Sequence, residues 1–133
     1  MARLPFRWLT TFARQLILTV QSVGLDLRAD RLAQVLLALA LVTNLALFGY
    51  LRWRYPTLPQ TLPLHFDALG QPDYVSSRSE IFRLPTVGLL ILVGNSILGL
   101  LLYARERLAS HLLWGAALLV QFLFWAATFS ILK

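Results

Sequence analysis

The chain has 133 residues, of which 58% are hydrophobic and only 14% are charged, and its mean hydropathy is +0.68. Soluble domains contain roughly 45–50% apolar and about 25% charged residues. This composition excludes a disordered charged tail and disfavours an ordinary water-soluble domain. Because the sequence contains no cysteine, a disulfide scaffold, a thiolate zinc site and a cysteine nucleophile are also excluded.

Residues 1–31 predict an amphipathic arm that is too polar to cross a membrane. On a helix, its apolar and polar side chains gather on opposite faces, although Leu18 falls on the polar side. The apolar face comprises Leu9, Phe12, Ala13, Leu16, Val20 and Val23, and the polar face comprises Arg7, Thr10, Thr11, Arg14, Gln15, Gln21 and Ser22. Pro5 can begin this helix and Gly24 can end it. The pattern indicates a helix in the membrane interface, with its arginines towards anionic headgroups.

Two other interpretations of the arm are open. A cleaved signal peptide would have residues 16–20 as its apolar centre, but no small-residue cleavage site follows. The arm could also pack on a partner protein instead of lipid, and the amphipathic pattern alone does not separate these cases.

Three runs lack Asp, Glu, Lys and Arg altogether: residues 32–51, 84–104 and 108–132. About 20 apolar residues in a helix cross the hydrocarbon layer, and a helix satisfies every backbone amide within its own segment. Asp30 is a candidate N-cap for the first run. The sequence predicts an all-α membrane protein with three transmembrane helices (domain 32–133), an N-terminal amphipathic interfacial helix and a long ordered loop. Three buried helices of a soluble bundle are the alternative.

Basic residues predict the orientation. Seven arginines lie in the arm or in the turn between the second and third spans, whereas five basic residues lie on the other side. The positive-inside rule then predicts a cytoplasmic N-terminus and an external loop 52–83, in a multi-pass protein of the bacterial cytoplasmic membrane. Because the arginines flank the apolar runs, the formal net charge of +6 does not indicate nucleic-acid binding.

The connection 52–83 between the first two spans contains four of the six prolines. The alternation of apolar and polar residues from Leu62 to Asp67 predicts a short edge strand. Residues 70–73 have turn chemistry, and Ser77 with Glu80 could form a capping box. Pro85 predicts that the second span begins there afresh.

A motif in this connection carries a family resemblance. Its residues are Tyr55, Pro56, Leu58, Pro59, Leu62, Pro63, His65, Phe66, Gly70, Asp73, Ser77, Arg78 and Pro85. The pattern resembles a bacterial membrane domain of unknown function that opens the immunity proteins for a sporulation-delaying toxin, and it covers about residues 32–104. In that family the motif lies between the first two membrane helices, and lysine is usual where Arg78 stands. The resemblance implies an immunity or sensing role, although the known members are longer. It implies no catalytic residues.

Each span contains a carboxamide side chain in its interior: Asn44, Asn95 and Gln121. Carboxamides in lipid normally bond to a neighbouring helix, so these residues predict helix–helix contacts. Counting from the external ends places Asn95 and Gln121 at one level. A quinone or ion pathway is the alternative, but a proton relay would have no Asp, Glu, Lys or Arg in the spans.

Two weaker site hypotheses involve histidine. His65, Asp67 and Asp73 are legitimate metal ligands, and the strand pattern places His65 and Asp67 on one face. Their spacing matches no recognised site, so a structural role is favoured. His111, beside Trp114, could ligate haem iron or a chlorophyll magnesium, but an interfacial polar role is favoured. We therefore expect no metal, no cofactor and no catalytic residue.

The sequence predicts a non-enzymatic accessory subunit of a larger bacterial membrane complex, such as an electron-transfer complex. Its expected partners are the lipid bilayer and other membrane protein subunits. An immunity or sensor protein whose loop 55–85 meets a toxin or ligand is the first alternative. A membrane enzyme or pigment carrier that uses His111 or His65 is the second.

Overall fold

A computed structural model describes residues 6–133, without the side chains of residues 6–9, 16, 19, 20 and 25. The helices are α1 (Phe6–Ala29), α2 (Arg31–Arg54), α3 (Arg83–Tyr103) and α4 (Arg107–Ile131), and the strands are β1 (Thr61–Phe66) and β2 (Pro72–Ser77). Short 3-10 helices occupy Tyr55–Thr57 and Arg78–Phe82. The predicted helix start at Pro5 and the side chains of Arg7, Leu9, Leu16 and Val20 lie outside the described part.

The prediction of three helices long and apolar enough to cross a membrane is confirmed. The helical segments are Arg31–Thr57, Arg78–Tyr103 and Arg107–Ile131, with 27, 26 and 25 residues. About 20 residues suffice to cross the hydrocarbon layer. Helical structure extends beyond the uncharged runs at residues 51 and 84, since α2 reaches Arg54 and the two 3-10 helices continue the first and second segments outwards.

The three long helices pack as a bundle in which α3 runs antiparallel to α2 and α4. The buried positions of α4 recur at steps of three, four or seven residues, which is the spacing of one helix face. These positions are Ser110, Trp114, Ala117, Gln121, Thr128 and Ile131. Small and polar residues therefore occupy much of the packed face, as is usual for membrane helices.

The arm continues past its predicted end. Gly24 does not terminate α1, which extends to Ala29, and Asp30 alone separates α1 from α2. Asp30 has extended backbone angles (φ −88°, ψ 91°), and its side chain accepts a hydrogen bond from the Ala33 amide at 3.0 Å. The predicted N-cap is confirmed, and it marks the helix boundary that Gly24 does not provide.

The connection between α2 and α3 is a β-hairpin, so the fold is mostly helical, not all-α. The predicted edge strand is confirmed as β1, and it pairs antiparallel with β2, for example Leu62 with Ser76. Gly70, in the turn, has a φ of +77°, a conformation that glycine adopts at little cost.

Two predictions at the start of the second span were wrong. Ser77 Oγ accepts from the Ser79 amide at 3.5 Å, while the Glu80 carboxylate pairs with Arg83 at 2.8 Å, so no capping box forms. The tighter 3-10 turn places these groups differently from an α-helix. Pro85 is the third residue of α3, not the first. It is tolerated there because the first-turn amides of a helix need no helical partner.

Candidate functional site

The centre of the bundle contains a hydrogen-bonded pair of carboxamides. Asn44 Nδ2 donates to Gln121 Oε1 at 2.9 Å and to the Pro85 carbonyl at 2.9 Å. Gln121 Nε2 donates to the Gly88 carbonyl at 2.9 Å. Both carboxamide residues are fully buried. One pair of side chains thus links α2, α3 and α4.

Asn95 does not share the level of Gln121. Its Nδ2 donates to the Leu113 carbonyl at 3.1 Å, whereas Gln121 lies beside Gly88. The seven residues between Gly88 and Asn95 correspond to about 10 Å along a helix. The predicted shared level was wrong because the second span begins at Arg78, so counting from residue 84 misplaced its outer end.

Two glycines of α3 allow polar and aromatic side chains to approach the helix closely. A Cβ atom on Gly88 would lie 2.7 Å from Gln121 Oε1, and one on Gly99 would lie 2.3 Å from Trp114 Nε1. Ser110 Oγ also donates to the Gly99 carbonyl at 2.7 Å. The absent side chains make room for the bonds that join α3 to α4.

A second polar cluster lies where the arm meets the bundle. The Asp30 carboxylate accepts a hydrogen bond from Tyr103 Oη at 2.6 Å. The same carboxylate oxygen lies 2.8 Å from His111 Nε2. These side chains come from the start of α2, the end of α3 and the start of α4. Trp114 is fully buried and stacks on Tyr103, with 5.8 Å between ring centroids. The cluster therefore joins the three spans by side-chain contacts at the end of the bundle that α1 contacts.

The hydrogen bonds to Asp30 stabilise its ionised form. The Ala33 amide, then the Tyr103 hydroxyl, and finally His111 lower the pKa of Asp30 from 3.8 to about 2, against an opposing effect of burial. The ionised carboxylate also accepts a hydrogen bond from the Ala33 amide, which has no backbone partner in the first turn of α2. Asp30 is therefore both a helix cap and a charged acceptor for two other helices.

His111 uses Nε2 in the contact with Asp30. A haem iron or magnesium ion would have to take Nδ1 or displace the carboxylate. Two aromatic rings also contact the imidazole edge-on, Tyr103 at 6.3 Å and Trp114 at 5.9 Å between centroids. Asp30 and the two aromatic rings therefore hold the imidazole of His111 in place at the end of the bundle.

The hairpin covers the other end of the bundle. Leu58, Leu62 and Ile81 are buried and pack in one cluster with apolar side chains from α2 and α4. The bundle residues of this cluster are Leu47, Leu51 and Ile131. The leucines of the sequence motif therefore anchor the connection to the spans.

Arg78 holds the base of the hairpin. Its guanidinium lies 4.7 Å from the centroid of the Tyr55 ring, and its Nη1 donates to the Leu58 carbonyl at 3.2 Å. A cation over an aromatic face is favourable, and the planar guanidinium can donate a hydrogen bond at the same time. Three motif residues are thus joined through one side chain.

The candidate metal ligands separate into two groups. His65 Nδ1 and Asp73 Oδ1 are 2.6 Å apart across the hairpin, and both side chains are exposed. Asp67 instead accepts the Leu69 and Gln71 amides, each at 2.8 Å, and so shapes the turn. Within residues that the structure describes, no three potential ligands gather at one point. Asp67 lies beyond the end of β1, in the turn, so the alternation of the strand does not extend from His65 to Asp67.

The other motif residues have structural places. Pro59 precedes β1, Pro63 lies in β1 opposite Val75, and Gly70 forms the turn. Beyond the anchored base, the hairpin exposes apolar side chains: Leu69 is 85% exposed, Val75 55% and Tyr74 49%.

Sequence reasoning missed Tyr103 and the side-chain bonds of Asp30 to α3 and α4. One signal was present: Asp30, Tyr103 and His111 all lie at span ends on the arm's side. Ser110, which bonds to Gly99, was also missed, since a serine near a span end is common without such a role.

Residues 35–89 match the model of a family described as a domain of unknown function (DUF1648), and they include most of α2, the hairpin and the start of α3. An uncharacterized protein from Archaeoglobus fulgidus is 43% identical over 54 residues. That alignment covers 41% of this chain but only 30% of the relative. No solved structure is significantly similar to the chain. The bundle's first half is therefore similar to this domain of unknown function.

Proposed function

We propose that the chain is a non-enzymatic integral membrane protein that acts by contact, as an accessory subunit of a larger complex in the cytoplasmic membrane. The observation that carries this proposal is the use of the polar groups within the spans. Asn44, Gln121 and Asn95 bond to one another or to backbone carbonyls of neighbouring helices. The chemistry of these side chains is thus directed to holding the bundle together.

The outward surface of the bundle is available for such contacts. In each span, 22% of the most apolar segment is buried within the chain. Large apolar side chains such as Val42, Leu90 and Leu112 point outwards, with exposures of 62%, 66% and 65%. Lipid or apolar helices of other subunits can cover this surface, because residues 32–51, 84–104 and 108–132 contain no Asp, Glu, Lys or Arg.

Photo-crosslinking in native membranes tests the accessory role. A photoreactive residue replaces Val42, Leu90 or Leu112 in turn, and Leu47, which is fully buried, serves as the inward control. We expect one helix face to give a crosslink to a distinct membrane protein, and the chain to migrate with it in mild detergent. Crosslinks to lipid alone, with the chain migrating as a solitary 15.0-kDa protein, would refute the role.

A second candidate function is recognition of an extracellular toxin or ligand by the hairpin. The observation in its favour is that Leu58 and Leu62 fix the base of the hairpin while Leu69, Tyr74 and Val75 remain outside. Exposed apolar side chains on an anchored hairpin form a small contact surface. The resemblance to toxin-immunity proteins agrees with this use.

Complementation tests the second candidate. A deletion strain is challenged with a toxin-producing neighbour and rescued with the wild-type chain or with Leu69→Ser plus Tyr74→Ser. The hypothesis expects rescue by wild type and loss of rescue by the double variant at equal membrane abundance. Unchanged survival of the deletion strain would eliminate this candidate.

The orientation is also a proposal. Arginines in the arm and in the turn before α4 favour a cytoplasmic arm and an external hairpin. Because the chain has no cysteine, single cysteines at Gln21 and Leu69 can be labelled in intact cells. Membrane-impermeant maleimide should label position 69 and leave position 21 unlabelled. The reverse pattern would invert the topology.

A further inference from the structure

We infer that the apolar face of α1 docks on the headgroup layer of an anionic lipid bilayer. The two ends of this face have different surroundings. Val23 and Leu27 pack against the cluster of Ala33, Tyr103 and Trp114 at the end of the bundle. Phe12, farther towards the N-terminus, is 61% exposed. The contact surface of the helix therefore extends beyond the bundle.

Phe12 belongs to the same face as Val23. Eleven residues of an α-helix make almost three full turns, so the two side chains lie within roughly 20° of each other around the axis. Phe12 precedes Val23 by about 16 Å along the helix. The face of α1 that packs on the bundle at Val23 thus extends beyond the bundle to Phe12.

The base of α1 lies at the level of the membrane boundary. Ala33 lies in the first turn of α2, and Tyr103 is the last residue of α3. Both therefore mark the ends of spans. Because Val23 and Leu27 pack against this cluster, α1 leaves the bundle at the level where the surroundings change from hydrocarbon to headgroups, which is the depth that amphipathic helices occupy.

The charged side chains near the base of the arm favour an anionic bilayer. The acidic side chains near the arm's base have partners, since Asp26 pairs with Arg107 at 2.9 Å and Asp30 contacts His111. Glu106 is the other acidic group at this end. By contrast, none of the four ion pairs in the described part of the chain includes the arginines at positions 14, 28, 31 and 105.

This excess of positive charge favours anionic phospholipid, which attracts basic residues near a membrane surface. It disfavours a second copy of the chain as the occupant, because two arms would bring like charges together. The inference does not depend on the proposed accessory role: a subunit of a complex and a solitary immunity protein could both carry a docked arm. An experiment can therefore refute the docking of the arm without refuting the accessory role, and the reverse also holds.

Single-cysteine labelling tests the docking. Phe12→Cys and Gln21→Cys carry an environment-sensitive fluorophore in the full chain, reconstituted into phosphatidylcholine nanodiscs with or without phosphatidylglycerol. Gln21 is exposed and lies about 180° from Phe12 around the helix, so it is the matched control. In anionic discs we expect severalfold weaker iodide quenching at position 12 than at position 21, and quenching of position 12 by lipid-attached nitroxide.

Equal iodide quenching at both positions in anionic discs would overturn the proposal. Protection of position 12 only when a disc contains two chains would also overturn it, by showing a second copy as the occupant. Helix content measured by circular dichroism must match wild type, and the Gln21 variant provides a second folded reference.

The charge preference has its own test. Arg14→Gln with Arg28→Gln should weaken protection of position 12 in phosphatidylglycerol discs by about fivefold per arginine removed, and added salt should weaken it further. Arg83→Gln, at the opposite end of the bundle, should leave the protection of position 12 unchanged. Equal protection in neutral and anionic discs, insensitive to salt and to both arginine changes, would refute the anionic specificity.

Discussion

Asn44 on α2 and Gln121 on α4 meet inside the bundle, with 2.9 Å between Nδ2 and Oε1, although 77 residues separate them in the sequence. Both side chains are fully buried. Hydrocarbon offers no hydrogen-bond partner, so the bonds of Asn44 Nδ2 and of the Gln121 amide form only when the helices are assembled in this rotational setting. The pair thus favours one packing of otherwise similar apolar surfaces.

A double-mutant cycle should detect this pair. Asn44→Leu and Gln121→Leu should each lower the free energy of unfolding, with a coupling energy of about 0.6 kcal/mol and at most about 2 kcal/mol. Reversible unfolding in bicelles, measured by steric trapping, gives the four values required.

Asn95→Leu provides the control for this cycle. Asn95 bonds to the Leu113 carbonyl, about two turns from Gln121 on the facing helix. The combination of Asn95→Leu with Gln121→Leu should therefore be additive. A coupling energy for Asn44 and Gln121 no larger than this control would contradict the observed contact.

Gly99→Ala should destabilise the bundle by about 1–3 kcal/mol, because its Cβ would lie 2.3 Å from Trp114 Nε1 and the buried indole must move. Gly94→Ala is the matched control on the same helix, since a Cβ there meets nothing within 4 Å. The control should be neutral or slightly stabilising, given the better helix propensity of alanine. Equal unfolding free energies for the two variants would mean that α3 and α4 do not approach closely at Gly99.

The spans were predictable because charge is excluded from lipid, so 20 or more uncharged residues in a row are informative by themselves. Asp30 was recognisable as a cap for a local reason, since its side chain reaches an amide three residues away. Strand β1 was predictable because apolar and polar residues alternate from Leu62 onwards. Each of these signals is local in the sequence.

The packed face of α3 was not predictable in the same way. Nearly every side chain of α3 is apolar, so hydrophobic periodicity does not distinguish the face towards α4 from the face towards lipid. Gly88 and Gly99 mark it, but Gly94 is exposed on the same helix. The partnership of Tyr103 with Asp30 depends on the relative position of helices 73 residues apart in the sequence, which no local pattern specifies.

Lowering the pH should reduce the free energy of unfolding of the wild-type protein, because Asp30 becomes protonated. The folded-state pKa of Asp30 is about 2 and its ordinary value is 3.8, so the unfolded chain takes up the proton first as the pH falls. The stabilisation from the ionised carboxylate is therefore complete above the ordinary value and is lost as the pH approaches 2. Unfolding free energies measured across this range should show the decline.

Asp30→Asn isolates this contribution. The amide oxygen can still cap α2, but the charge that favours the contacts with Tyr103 and His111 is removed. The variant should be less stable than wild type at neutral pH, and the difference should shrink towards pH 2. Asp26→Asn, which breaks an exposed ion pair at the same end, should cost no more than about 1 kcal/mol. A constant difference between Asp30→Asn and wild type at all pH values would refute the role of the charge.

Arg78→Ala should loosen the hairpin without unfolding the bundle, because it removes both the contact with the Tyr55 ring and the bond to the Leu58 carbonyl. Losing about 1–2 kcal/mol of local stability would speed amide hydrogen exchange in β1 and β2 by roughly 5- to 30-fold. Arg78→Lys keeps the cation but not the planar guanidinium, so it should give an intermediate rate. Arg83→Ala is the control, since Arg83 pairs with Glu80 on the surface with its side chain 70% exposed, and it should alter exchange in the strands by less than about twofold. Similar exchange in Arg78→Ala and Arg83→Ala would show that the base of the hairpin is held by its buried leucines and not by Arg78.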